Sequence, residues 1–370
     1  MTDRPTDLEE FRAAAEDFVA EHRHDAPPDY GAICPEHLVD AGRAWQRHLF
    51  ESGWAGIHWP VEHGGQGLTP EHQSIWVEVC ARAEVPAFIN MVGFVLAGQG
   101  LQLYGTPEQQ RTHLRPIITA ERVWCQLFSE PDAGSDLASL TTSAVRDGDE
   151  WVVNGQKVWC SGGHFSDWAI LMARTDPDVP KHRGISFFVV DMHSPGVECR
   201  PLRQMTGESE FDEVFMTDVR MPADALLGDL NDGWRVGMTT LTNERGSIGA
   251  AAIAAQRRLD GLRGLGGGLD ALQRDELAQL YTSGASLNHL GGRQGPGASV
   301  GSSLNKLAMT ELGFQIAEFQ VAAAGADAML DGPESRRLLG APGGRIAGGS
   351  SQVQRNIIGE RILGLPKEPS

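Results

Sequence analysis

The chain has 370 residues and a formal charge of −18 at neutral pH. That length allows a large core and two or three domains, and the acidic balance argues against nucleic acid or an anionic membrane as a partner. The five cysteines, Cys34, Cys80, Cys125, Cys160 and Cys199, are odd in number and show no zinc-ligand spacing, so they read as reduced thiols and no metal centre is expected.

The opening MTDRPTDLEEF has neither an apolar signal core nor the basic, acid-poor character of a transit peptide. No run reaches about 18 apolar residues. The expectation is a cytoplasmic protein. Thr6 and Glu9 suggest a capping box ahead of Leu8, Phe11, Ala15 and Phe18, which share one helical face, and helical patterns continue to about Ala120. From Glu121 the period changes to strands, with apolar runs at 168–172, 185–190 and 214–219. Asn154-Gly155, flanked by Val152-Val153 and Lys157-Val158, reads as a two-residue hairpin turn that would put Trp151 and Trp159 on paired strands.

After Gly228 the pattern returns to helix, with a last helix capped by Ser350 or Ser351 and a buried stripe of Val353, Ile357 and Ile362. The expected division is helical 1–120, β 121–228 and helical 229–370. Two motif matches fail on context. Gly264 to Gly268 lacks a preceding strand and a Walker lysine. Gly297-Ala298-Ser299-Val300-Gly301 fits G-x-S-x-G, but no strand leads into it and no histidine follows His289, which excludes a hydrolase triad in the usual chain order.

The stretch from Gln126 to Gly163 holds QLFSEPDAGSDLASL and then WVVNGQKVWCSGG. On spacing alone it is a Ser/Gly/Asp turn beside a hairpin. It resembles the flavin-binding signature of the acyl-CoA dehydrogenase family, T-E-P-x-A-G-S-D followed by N-G-x-K-x-W-I-T/S, with Ser129 for the Thr and Cys160 for the Ile. GWAGIHWPVEHGGQGL, YGTPEQ, FDEVFMTDVRMPADALLG and SSQVQRNIIGERILGLP are similar to further family blocks, in family order. The resemblance implies an α+β fold: an N-terminal helical domain, a β-barrel-like middle domain and a C-terminal helical bundle.

It further implies FAD as cofactor and α,β-dehydrogenation of an acyl-CoA thioester, with electrons passed to an electron-transfer flavoprotein. Gln126, Phe128 and Ser129 fall along the flavin edge, Gly134 and Ser135 near flavin and thioester, Trp159 and Ser161 at the ring, and Ser350 and Gln352 in the closing block. Trp159 could equally be hairpin core.

The base departs from the commoner pattern. Y-E-G-T-S-Q-I-Q is matched by Ala347-Gly348-Gly349-Ser350-Ser351-Gln352-Val353-Gln354, and Gly348 cannot take a proton. Branched-chain and long-chain members carry the glutamate early in the third part, before an arginine, which points to Glu244 as base and Arg245 as a CoA contact. Without the family, Glu244 is an exposed helical carboxylate and Arg245 a structural ion pair.

The motifs that cross between subunits are weakened. Arg263-Gly264-Leu265-Gly266 stands for Arg-Gln-x-Phe-Gly, and the run Gln320 to Ala326 for Q-x-x-G-G-x-G. That leaves open a homodimer, a homotetramer, or a heterotetramer like those of bacterial steroid side-chain acyl-CoA dehydrogenases. A non-catalytic partner subunit and an oxygen-using oxidase or monooxygenase of the same fold are the alternative functions.

Overall fold

A computed structural model describes residues 4–31, 33–243, 248–262, 268–291 and 298–367. It divides into two compact units, Met1–Glu244 and Arg245–Ser370.

The first unit opens with five helices, α1 (Leu8–His22), α2 (Val39–Glu51), α3 (Pro70–Ala83), α4 (Gly98–Tyr104) and α5 (Pro107–Ile118). Asp7 caps α1, its carboxylate accepting from the N–H groups of Glu9 and Glu10. The cap therefore falls one residue later than the Thr6–Glu9 box suggests; a carboxylate also answers the positive end of the helix. Phe11, Ala15 and Val19 of α1 are buried with Trp45, Trp54 and Trp76, and the last two stack at 4.9 Å.

The sheet has seven strands: β1 (Trp124–Leu127), β2 (Ser143–Asp147), β3 (Glu150–Ser161), β4 (Trp168–Arg174), β5 (Ile185–Asp191), β6 (Val197–Leu202) and β7 (Phe211–Pro222). Their order is β1-β4-β2-β3-β7-β6, with β5 paired to β4. β4 and β5 are continuously apolar because both their faces are buried. Ile170, Met172, Ile185, Phe187 and Val189 join the helical core, whereas Ala169, Leu171, Phe188 and Val190 join a second core with Trp151, Val153 and Val214.

The hairpin expected at Asn154-Gly155 is not there. The β2–β3 turn falls at Gly148-Asp149, with Asp147 opposite Glu150 and Gly148 at φ +61°. Asn154 and Gly155 lie inside β3, so Trp151 and Trp159 share one strand. The side chain of Asn154 is spent on Asp218 of β7, donating to its Oδ1 at 3.0 Å and accepting from its N–H at 2.9 Å. Gly155 serves close approach, since a Cβ there would lie 2.7 Å from Thr142 Cα.

α6 (Gly233–Asn243) follows the sheet and packs against β5 and α4. The second unit consists of α7 (Ile248–Leu262), α8 (Ala271–Gly291), α9 (Ala298–Ala324), α10 (Pro333–Ile346) and α11 (Ser351–Ile357). α9 touches each of the others, and Leu259, Leu280, Leu312, Ile316 and Phe319 form the core. Residues 298–301 of the G-x-S-x-G match are part of α9, which excludes a strand-to-helix elbow, and Gly297 lies outside the described residues. Val353, Ile357 and Ile362 are only half-buried, while Ser351 and Gln354 are the buried residues of α11. The reason is polar docking: Ser351 Oγ donates to Glu311 Oε1 of α9 at 3.0 Å and Gln354 Nε2 to the Gly348 carbonyl at 3.0 Å.

Candidate active site

The segment after β1 and the end of β3 are joined into one wall. Along β1, side chains alternate: Cys125 and Leu127 enter the sheet core, and Trp124 and Phe128 face the helical core with half-buried Gln126 between them. Gln126 Oε1 is buried and has no hydrogen-bond partner among the described residues. Phe128 meets Phe187 edge-on at 5.7 Å. The Ser129 carbonyl accepts from the Val158 N–H at 2.9 Å, which brings the two sequence motifs together.

A buried ion pair reinforces that junction. Lys157 Nζ donates to the Phe128 carbonyl and to Glu130 Oε1, each at 2.9 Å. Glu130 also accepts from the N–H groups of Thr141 and Thr142 at 2.7 and 2.8 Å. Burial raises the Glu130 pKa, but Lys157 and the Thr142 and Thr141 hydrogen bonds outweigh it and hold the group at about 2. Both residues are letters of the motifs, E of S-E-P and K of N-G-x-K. Opposite charges at fixed places in the two motifs were the available signal for this contact.

Reciprocal bonds of 3.1 Å between Glu130 and Ala133 close a turn, after which Gly134 and Ser135 are exposed. A Cβ at Gly134 would meet nothing within 4 Å. The loop is held at its far end by Asp136, which accepts from Lys181 Nζ at 2.7 Å.

On the other side of the wall, β3 loses register with β7 between Lys157 and Cys160. Trp159 sits at φ +61°, and the residue is 55% exposed, with Phe211 edge-on to its ring at 5.9 Å. The bulge has turned a large apolar ring outward, against the alternation that would bury it. Half-buried Ser161 pairs with Phe211, and the Gly162 N–H donates to the Glu210 carbonyl at 2.9 Å. The loop beyond is pinned to β7 by His164 Nδ1, 2.9 Å from Oδ1 of the fully buried Asp212, and this hydrogen bond raises the His164 pKa against the opposing effect of burial. Sequence reading missed this pair, since its partners are far apart in the chain and no motif joins them.

Ser350 and Gln352 belong to the second unit. Ser350 caps α11 by accepting from the Val353 N–H at 3.3 Å, and Gln352 is exposed. Lys306 donates to the Gly349 carbonyl at 2.7 Å, and Glu311 gathers Arg345 at 3.0 Å and Ser351 at 3.0 Å, so α9 anchors the start of this helix. Gly348 has φ +63°, a conformation in which a glutamate would be strained. Glu244 and Arg245 lie outside the described residues, as does the Arg263 to Gly266 stretch. Gln320 is buried in α9 with its Oε1 unpartnered among the described residues.

Three family models match in chain order: "Acyl-CoA dehydrogenase, N-terminal domain" over residues 5–121, "middle domain" over 125–219 and "C-terminal domain" over 274–363. A Mycobacterium tuberculosis protein described as acyl-CoA dehydrogenase IpdE1 is 40% identical over 381 residues, covering 98% of this chain and 99% of its own length. The chain belongs to the acyl-CoA dehydrogenase family. Among solved structures, the Tcur3481-Tcur3483 steroid ACAD matches with a TM-score of 0.85 at 27% identity over 100% of both chains. The ChsE4-ChsE5 complex from Mycobacterium tuberculosis matches with a TM-score of 0.77 at 27% identity, again over 100% of both.

Acyl-CoA dehydrogenases are flavin-dependent oxidoreductases, and the expected three-part fold of helices, curled sheet and helices is that of the family. The residues present fit such a group on three observations. The Gln126 amide oxygen is an unsatisfied acceptor, the Trp159 ring offers an exposed apolar face, and the Gly134 loop leaves open space beside its backbone. Among the described residues, no helix is long and apolar enough to cross a membrane.

Proposed function

We propose that this acyl-CoA dehydrogenase removes hydrogen across the α,β bond of a bulky acyl-CoA thioester, holding FAD against the wall formed by residues 126–135 and 159–161. The outward Trp159 ring carries the reading: non-glycine residues held in the left-handed region cluster at ligand sites, and this one presents a large apolar ring. When bound, the flavin supplies the hydride acceptor. Gln126, Ser129 and Ser161 offer hydrogen bonds to a polar ring edge, Phe128 backs the wall, and Gly134 and Ser135 present backbone and hydroxyl groups toward flavin and thioester.

Glu244 is the base in this reading. Its carboxylate takes the α proton, and Arg245 holds the CoA portion. Gly348 supports that assignment in two ways: it has no carboxylate, and its backbone disfavours one. A carboxylate in a water-poor pocket has its pKa raised toward working pH, which suits proton abstraction. In this reading an electron-transfer flavoprotein would be the electron acceptor, and the three domains divide at residues 120 and 228.

The test is an anaerobic absorption spectrum of the purified chain, recorded before and after each of a panel of saturated acyl-CoA esters. Bleaching of the flavin band by one ester is the expected result. A flavin that stays oxidised with every ester, in a chain supplied with every candidate partner, refutes it.

A second reading concerns assembly. Met329, Leu330 and Ile346 are 86%, 69% and 68% exposed in the second unit, and the weakened crossing motifs lie on the same unit. This fits an oligomer, formed either with a second acyl-CoA dehydrogenase subunit or with further copies of this chain. Mixing with candidate subunits should raise flavin retention; equal retention alone and in mixtures leaves the homo-oligomer.

A further inference from the structure

Away from the candidate active site, the C-terminal ends of α1 and α2 bring together three side chains of metal-binding chemistry. His22 ends α1, Asp25 follows it, and His48 lies in the last turn of α2. One ligand atom from each lies within 4.8 Å of the other two. We propose that His22, Asp25 and His48 form a zinc-class divalent cation site that ties the end of α1 to α2.

The donor set is that of a three-ligand zinc centre, two imidazoles and a carboxylate with water in the fourth position. Donors about 2.0–2.1 Å from a tetrahedral ion lie roughly 3.4 Å apart. His22 Nδ1 is already 3.6 Å from Asp25 Oδ2, and the two histidine rings are 4.8 Å apart between centroids. Small rotations about the side-chain bonds close the remaining gap. His48 Nε2 is the independent sign of a missing partner, being buried with no hydrogen bond among the described residues. An unpaired buried imidazole nitrogen is a cost that coordination removes.

The surroundings suit a bound ion. Phe18 lies 4.5 Å from the His22 ring and 5.8 Å from His48, and Trp45 is 5.7 Å from His48, an apolar shell that strengthens coordination. Asp25 is half exposed, which leaves a route from solvent. Other titratable side chains nearby include Glu21, 4.0 Å from His22 Nε2, and His24, 3.5 Å from Asp25. A sequence motif does not reveal the site, because the ligands come from two separate stretches of the chain, the end of α1 with the turn after it and the last turn of α2.

Calorimetric titration of zinc chloride into the untagged full chain, first cleared of metal with a chelator, tests the proposal. Wild type should bind about one equivalent, weakened at least about tenfold in H48A and D25A and unchanged in H193A, a control at an exposed histidine elsewhere. Zinc should raise the melting temperature of wild type but not of D25A, whose exposed side chain can be removed without disturbing the core, and magnesium should raise neither. Equal zinc affinity in wild type and D25A, or no heat and no shift of melting temperature in wild type, overturns the site.

Discussion

Lys157 and Glu130 form a 2.9 Å ion pair inside the first unit, the lysine side chain wholly buried and the carboxylate 5% exposed. The pair binds the segment after β1 to the end of β3, and with it Phe128 and Ser129 to the strand that carries Trp159 and Ser161. A wall of separate chain segments proposed to hold a cofactor needs such a tie, because flexible segments would have to be ordered by the ligand at the expense of affinity.

Removing one partner should therefore be severe. Lys157→Met leaves the Glu130 carboxylate buried and uncompensated, and should cost about 3–5 kcal/mol of stability in urea unfolding. The double variant E130L/K157M should recover much of that loss. A K157M chain as stable as wild type contradicts the account.

The same pair sets an acid limit. Glu130 is held at about 2, below its ordinary 4.5, so its stabilisation is complete above about pH 4.5 and is lost as pH falls toward 2. Unfolding free energy measured across that range should drop in wild type and be flatter in the double variant.

His164 acts in the opposite direction. Its pKa is raised from 6.5 by the hydrogen bond to Asp212, so its contribution is complete below about pH 6.5 and fades as pH rises through the folded-state value. Melting temperature should fall above neutrality more in wild type than in H164Q, which keeps a donor but does not titrate. Parallel pH profiles for the two proteins would remove His164 as the cause.

Trp159→Ala separates a cofactor contact from a packing role. Since the ring is largely exposed, the flavin-free chain should change by no more than about 0.5 kcal/mol, while the flavin-to-protein ratio after gel filtration should fall sharply. A large loss of stability with unchanged flavin content would return Trp159 to the core.

For the base, Glu244→Gln should lower the rate of flavin bleaching by saturated acyl-CoA about 10²–10⁴-fold with flavin still bound. A rate equal to wild type excludes Glu244.

The chain's local chemistry is readable where a segment decides its own structure. Apolar runs at β4 and β5, the Pro107 start of α5 and the Ser350 cap of α11 all follow from neighbours within a few residues. Asn154-Gly155 fails as a turn because the same dipeptide serves a bulge once Asp218 of β7 and Thr142 are beside it. Likewise Asp7 displaces Thr6 as the cap of α1, a choice among adjacent acceptors that spacing leaves open.

The sequence by itself determined the family, the succession of a helical, a strand and a second helical part, and the two segments that make the wall, because motif letters and hydrophobic period are properties of short stretches. Only the tertiary structure decided that Trp159 faces outward, that Glu130 meets Lys157, that Asp212 holds His164 and that His22, Asp25 and His48 converge. Those relationships depend on the register of paired strands and the packing of helices, which bring together residues whose separation along the chain carries no periodic signal.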